Sequence, residues 1–421
     1  MPVYTSSIEV TADYPTIKPS LNLNFARSRS LDPRVGFERA SVGTYIGRDG
    51  LIKTAGNDEP RFDHDPETLE SLGLLIEEQR TNYVAYSENF DNAAWTKASC
   101  TVTANQIVSP SGELTADLIT AVVGLVNVTY NNTTTGPITM SVYLKPKTTS
   151  TFWIRLFNAS SAQRGAWVNL NEETIGTVNG GSAILERVGN GWYRFIYKCD
   201  NAISGTSFLG VSSTDASTSI TTSTAEFYMW GAQVEAGSFP TSYIPTSGSA
   251  VTRADDFGYI TGENFSSWFN QTEGSLDVGY RLGYDNASMR VCQISNQNSN
   301  TAIDLVVGSG GGTGGYWFIN TGGVSQFSST GVTNSSQVGA DRNFRCVLAY
   351  KENDCAAQQD KVSTISTDTT SVTLATDYDR LLFYQIANSG DQIQGHLKYI
   401  RYYPKRISNA QVTQLSQDGN V

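Results

Sequence analysis

The chain has 421 residues, of which 39% are hydrophobic and only 16% charged, with a formal net charge of -11. That length fills two or three cores, and the shortage of Lys and Arg excludes phosphate-driven binding of nucleic acid or of an anionic membrane. With 38 Gly, 21 Tyr and 17 Phe, the composition points to short strands and turns, hence an all-β fold and not a helical bundle.

The first stretch, residues 1–82, reads as an extended N-terminal anchor. Its start has no basic region followed by an apolar core, so no secretory signal is expected, and no apolar run in the chain is long enough for membrane insertion. Short apolar islands at Val3-Tyr4, Leu21 to Phe25, Tyr45-Ile46 and Leu74 to Ile76 are separated by turn residues, so the segment buries little by itself. Leu21-Asn22-Leu23-Asn24-Phe25 alternates strictly, and its apolar face must meet either another part of this chain or a larger particle. Arg48-Asp49-Gly50 predicts a hairpin turn leading into a strand at Leu51-Ile52, and the Pro60 and Pro66 dipeptides stop what precedes them.

Residues 83–254 carry longer strands with regular punctuation, as in an antiparallel β-sandwich. Ile138 to Leu144 alternates and is closed by Pro146. In Thr151 to Phe157, the residues Phe152, Ile154 and Leu156 share one face, with Trp153 and Arg155 on the other. Gly189-Asn190-Gly191 is a turn, followed by an alternating strand from Trp192 to Cys199, and Glu226 to Val234 is a further strand. Residues 255–421 form a second all-β block with paired strands at Ala302 to Val307 and Tyr316 to Ile319, others at Arg345 to Tyr350 and Arg380 to Tyr384, and a short C-terminal helix. Ser408 and Gln411 have capping-box spacing at the start of that helix. The Gly-rich run GSGGGTGG from Gly308 to Gly315 lacks the Lys-Ser/Thr and the helix of a phosphate loop, and reads as a loop tip.

Catalytic chemistry has little material. Only His64 and His396 are available as imidazole bases, and neither a GxSxG elbow nor an HExxH helix is present. The adjacent acidic pairs Glu77-Glu78, Glu172-Glu173 and Asp255-Asp256 point to opposite faces of an extended chain, which is wrong for an acid and base couple. Five cysteines without a CxxC pair read as reduced thiols, mostly in the core. Asp63-His64-Asp65 before Pro66 is explained by turn chemistry. The expectation is a protein that is not an enzyme.

Three pieces of the anchor, FERAS (Phe37 to Ser41), PRFDHDP (Pro60 to Pro66) and GLLIEEQRTN (Gly73 to Asn82), occur in an order that resembles the leader of tailed-bacteriophage fibre, spike and appendage proteins. YSENFDNAAWTK (Tyr86 to Lys97), VYLKP (Val142 to Pro146), GNGWYRF (Gly189 to Phe195) and the long run from Trp230 to Asp256 are similar to the carbohydrate-binding-module-like jelly rolls that follow such leaders. GHLKYIRYYPKRISNAQVTQL, Gly395 to Leu415, is similar to the last strand and helix of concanavalin A-like (laminin G-like) sandwiches. These resemblances imply a virion appendage, a tail fibre or head spike, attached to other virion proteins through residues 1–82. They further imply a homotrimer that binds host-cell surface polysaccharide. A structural capsid or tail decoration without receptor binding is the alternative, and a glycan depolymerase the third reading. Sugar recognition stacks an aromatic face on a pyranose, so Trp317 and Tyr316 beside the Gly run, Trp268 near Asn264 and Asn270, and Trp153 are the candidates. Trp95, Trp192 and Trp230 are expected in the core. No organic cofactor is expected; the jelly-roll resemblance implies a structural calcium at Glu88 and Asp91.

Overall fold

The computed structural model describes residues 15–148, 152–159, 164–221, 224–283, 289–296, 300–307, 315–329, 342–360, 362–383 and 393–417. The Gly run at 308–314 and Tyr384 lie outside the described residues. The fold is all-β, with antiparallel sheets and, among the described residues, two short helices, and the chain divides into two compact units. One comprises Arg39–Ser71 and Gln79–Asp255; the other comprises Met1–Glu38, Leu72–Glu78 and Asp256–Val421. The residues set apart by sequence as an anchor are thus shared between the two units.

The first unit is a sandwich of two six-stranded sheets. One runs in the order Gly181–Arg187, Tyr193–Ala202, Gly136–Pro146, Ala225–Ala236, Ala116–Ala121, Cys100–Ile107; the other runs Thr174–Asn179, Gly165–Asn169, Trp153–Phe157, Gly205–Ser212, Val126–Asn132, Thr96–Ala98. Alternation does the folding here. Ile138, Met140, Val142 and Leu144 from one sheet meet Ile154, Leu156, Ala166, Val168, Leu209 and Val211 from the other. The expected odd-and-even division of both strands is therefore present. Trp95 lies in this core and Trp230 in a second apolar cluster.

That second cluster explains why the outward face of the first sheet is not polar. Tyr143, Trp192, Trp230 and Tyr243 lie there under Ile52, which belongs to a hairpin of the strands Gly43–Ile46 and Ile52–Ala55. Gly50, at φ 75°, makes the predicted turn between them. The hairpin is tied down by the Ile52 amide donating to Pro110 O (2.9 Å), and Arg61 Nη1 donates to Thr44 O (2.9 Å) and Ser242 Oγ (2.8 Å). Asp65 Oδ1 accepts the amides of Glu67 and Thr68, the turn chemistry its place before Pro66 predicts.

The second unit is also a sandwich. Its larger sheet contains Ser366–Asp368, Asp354–Gln359, Arg342–Lys351, Glu273–Leu282 and Gly395–Tyr403. The last of these pairs with Leu21–Asn24 through Leu21↔Tyr402 to Asn24↔Tyr399, so the alternating segment near the N-terminus finds its partner in this chain. Gly73 lies against the same strand, and a Cβ there would collide with Leu397 O. The opposing sheet runs Gly36–Glu38, Phe257–Thr261, Arg380–Leu382, Met289–Ser295, Ala302–Val307, Gly315–Thr321, Val324–Ser328. Val412 and Leu415 of the helix Asn409–Gln417 pack on Val347, Ala349 and Ala356. Its start carries both predicted bonds, Gln411 N–H to Ser408 Oγ (3.2 Å) and Ser408 N–H to Gln411 Oε1 (3.0 Å).

Each unit holds one buried carboxyl that burial pushes up to about 6, Asp117 in the first and Asp304 in the second. Asp117 accepts the amides of Phe90 (2.9 Å) and Asn105 (3.0 Å), and Asp304 accepts from Gln293 Nε2 (2.8 Å), but desolvation outweighs both. A folded-state value above the unfolded 3.8 means that the unfolded chain releases its proton first as pH rises. The contribution is fully favourable below about pH 4 and is lost as pH rises through about 6. Melting temperature followed from pH 4 to 7 is therefore expected to fall across this window and level off above it. A rise across the same window would contradict the assignment. Of the five free thiols, Cys199, Cys292, Cys346 and Cys355 are buried.

Candidate functional site

A cleft of about 360 Å³ opens in the first unit, lined by Glu173, Thr174, Ile175, Leu185, Arg187 and Tyr193. Local sequence builds it. Asn169 Oδ1 accepts the amides of Asn171 (3.1 Å) and Glu172 (3.2 Å), tightening the turn that ends at Glu173. Glu173 itself sits at φ 51°, a left-handed conformation that ordinarily favours Gly or Asn. On the facing hairpin, Gly189, Asn190 and Gly191 all have positive φ (77°, 53° and 73°), which folds the chain back so that Tyr193 pairs directly with Arg187.

The carboxylate of Glu173 then joins two strands. Tyr193 OH donates to Glu173 Oε1 at 2.9 Å, and Arg187 Nη2 donates to Oε2. Tyr193 foremost, and Arg187 after it, hold the Glu173 carboxyl below the usual carboxylate range. The same carboxylate raises the Arg187 guanidinium, while burial and then Glu173 raise the Tyr193 phenol. At neutral pH the polar rim is therefore an ionised Glu173, a charged Arg187 and a neutral Tyr193. The floor is apolar, made by Ile175, Leu185 and the Tyr193 ring. Among the described residues Glu173 is the single carboxylate lining the cleft, whereas glycoside hydrolysis uses two flanking the bond.

The residues singled out in the sequence do not converge. Trp317 is 1% exposed and Trp268 is 4% exposed, so neither ring can stack on a sugar. Trp317 alternates inward with Gly315 and Ile319, and a Cβ at Gly315 would stand 2.9 Å from the buried Cys346 Sγ. Trp268 is packed by Phe265, Phe269 and Tyr402 with centroids at 4.9, 5.7 and 5.0 Å, and the nearby Asn270 side chain donates to Pro404 O. Tyr316 is half-buried on the opposite face of Trp317's strand. Trp153 is half-buried on the outward face of its sheet, with its ring where a Gly176 side chain would be. Glu88 Oε1 accepts from Tyr243 OH at 2.8 Å, and burial raises its carboxyl, while Asp91 is exposed. Among the described residues no three His, Cys, Asp or Glu side chains stand close enough to hold a metal, and two carboxylates alone supply too few oxygens for calcium.

Sequence reasoning set Tyr193 in the row opposite Trp192 of an alternating strand, with no site attached to it, and read Glu172-Glu173 as carboxylates pointing to opposite faces. The positive φ at Glu173 and the register of Arg187 with Tyr193 are what bring them together, and neither is visible in residue order.

No family model matches the sequence, and no curated protein does. Solved structures with a similar arrangement include the IT-sialidase CBM40 of Ruminococcus gnavus bound to α2,3 sialyllactose (TM-score 0.31, 11% identity, 37% of this chain and 87% of that one). Domain 4 of the GH43 extracellular arabinanase AbnA of Geobacillus stearothermophilus, in complex with arabinotriose, gives TM-score 0.30 and 10% identity over 43% of this chain and 84% of that one. The NanB sialidase of Streptococcus pneumoniae gives TM-score 0.30 and 12% identity over 37% of this chain and 26% of that one.

Proposed function

We propose that the chain is a glycan-binding appendage protein of a tailed-phage particle, acting by recognition and not by catalysis. The observation that carries the glycan reading is the cleft at Tyr193. An aromatic ring and two aliphatic side chains make an apolar floor, and a carboxylate, a guanidinium and a phenol are fixed at the rim. A sugar ring presents the complementary surface, an apolar C-H face edged by hydroxyls. Glu173 accepts from hydroxyls and Arg187 donates to them, and their mutual bond orders both before a ligand arrives.

The placement on a virion is supported by the FERAS, PRFDHDP and GLLIEEQRTN pieces, which resemble phage appendage leaders. Host-cell polysaccharide is then the partner, and repetition of the cleft in an oligomer such as a trimer turns weak contacts into avidity. Tyr193→Ala is expected to weaken binding of purified protein to host cells and to a glycan array by at least about tenfold, as loss of a ring contact and a hydrogen bond implies. Far-ultraviolet circular dichroism should be unchanged. Undiminished binding by that variant would remove the cleft from the reading. Labelling of phage particles with antibody against this protein tests its place on the virion.

A further inference from the structure

The turn beside the Tyr193 cleft is backed by the segment that the sequence sets apart as an anchor. A Cβ built at Gly189 would stand 2.9 Å from Pro66 O, so the turn rests on that carbonyl. The next residue, Glu67, is exposed, and its backbone is fixed because Asp65 Oδ1 accepts the amides of Glu67 (2.9 Å) and Thr68 (2.8 Å). Its charge reaches the rim. Glu173 foremost, and Glu67 after it, raise the Arg187 guanidinium; burial, then Glu173 and more weakly Glu67, raise the Tyr193 phenol.

Among the described residues Arg187 is the single cation lining the cleft, and its Nη2 is already given to Glu173 Oε2. Lys145 Nζ is held at the tip of the turn by Asn190 O (2.7 Å). Glu173 and Arg187 cancel, so the carboxylate of Glu67 leaves this rim net negative. The rim is open to ligand, with the side chains of Arg187 and Glu173 58% and 36% exposed. A carboxylate offers about four lone-pair sites. Tyr193 OH takes one on Oε1 and Arg187 Nη2 takes one on Oε2, so among the described residues each oxygen keeps an unused lone pair. Two such oxygens on one carboxylate match two hydroxyls on adjacent ring carbons.

Resting on the reading of the cleft as a glycan site, we propose that it selects neutral sugars bearing a vicinal diol, with Glu67 as the residue that turns acidic sugars away. The diol lies across Glu173, and the apolar face of the ring lies on Ile175, Leu185 and Tyr193. A uronic acid would bring a further negative charge to a rim whose lining cation is already paired. Like charges brought together count against the wrong partner. The PRFDHDP piece thereby gains a part in recognition, because its turn is what positions Glu67.

The test uses the full-length protein on an array of neutral oligosaccharides and their uronic acid counterparts, matched so that each pair differs by a single carboxylate. Neutral members are expected to bind at least about fivefold more tightly at about 10 mM salt, and the gap should close towards about 500 mM as the charges are screened. Glu67→Gln should narrow the gap by about threefold through stronger binding of the acidic members. Array members lacking one hydroxyl of the diol should bind at least about tenfold more weakly, the scale of a hydrogen bond to a charged group. Equal or stronger binding of the acidic members, or a gap that Glu67→Gln leaves unchanged, would overturn the proposal. Deoxy sugars that bind as well as their parents would remove the diol from it. Tyr193→Ala separates this failure from failure of the cleft. An acidic preference that the variant abolishes keeps the cleft and rejects the selectivity, whereas binding that the variant leaves intact, or no binding to any member, rejects both.

Discussion

Asp277→Ala is expected to destabilise the sandwich that contains it by about 3–5 kcal/mol, the scale observed when one partner of a buried ion pair is removed. Asp277 is fully buried and Arg345 is 1% exposed. The carboxylate receives Arg345 Nε and Nη2 at 2.8 Å each, Tyr399 OH at 3.2 Å and Arg401 Nη1 at 3.2 Å. Deleting it leaves a desolvated guanidinium facing a phenol and a second cation. Arg401 is the partly exposed member, and Arg401→Gln should cost less than about 1 kcal/mol because water replaces the contact. Replacing both Asp277 and Arg345 by Leu and Met should recover most of the loss, since no charge then remains buried. Denaturant unfolding midpoints for the four proteins check the series. A small effect of Asp277→Ala alone would mean that the guanidinium finds another partner.

Trp317→Ala is expected to cost about 3–5 kcal/mol by removing a large core side chain and leaving a cavity. Its ring is closed to solvent, with Leu305 opposite it in the register and Tyr280 and Cys346 beside neighbouring Gly315. Trp317→Phe is expected to cost less than about 1.5 kcal/mol, because the buried indole N–H has no acceptor among the described residues and its loss removes an orphan donor. Glycan affinity of the folded variants should equal that of the parent. A selective loss of sugar binding with unchanged stability would reverse this reading and return Trp317 to the surface.

Much of the architecture was legible because period-two patterns and turn residues act locally. Ile138 to Leu144, the Arg48-Asp49-Gly50 turn and the Ser408-Gln411 box each specify their structure within a few residues, and each is present. The site was not legible for the opposite reason. Trp317 borders a Gly run in the sequence, but the parity of its strand turns it inward; one residue of register decides between a platform and a core. Glu173, Arg187 and Tyr193 come from three segments, and the first is recognisable only by a backbone angle. Asp277 and Arg345 lie 68 residues apart, and nothing near either announces the other. Arg155 was placed beside Trp153 on the face opposite Ile154 and Leu156, but that its Nε and Nη1 lack a hydrogen-bond partner among the described residues is a property of the assembled sheet.

The interleaving of the first 82 residues has a practical consequence for anyone cutting this protein into pieces. The chain passes between its two units four times before and after the 83–254 stretch, at 38/39, 71/72, 78/79 and 255/256. A fragment trimmed to 83–254 for binding assays would lack Ile52 and the hairpin that roofs Tyr143, Trp192, Trp230 and Tyr243. It would present four aromatic rings to solvent as a sticky patch, and its self-association would masquerade as ligand avidity. A piece spanning 39–255 keeps its own roof. The same holds for grafting: a sandwich transplanted into another protein must bring the part of residues 1–82 that belongs to its unit, so a cut at 82/83 does not yield an exchangeable module.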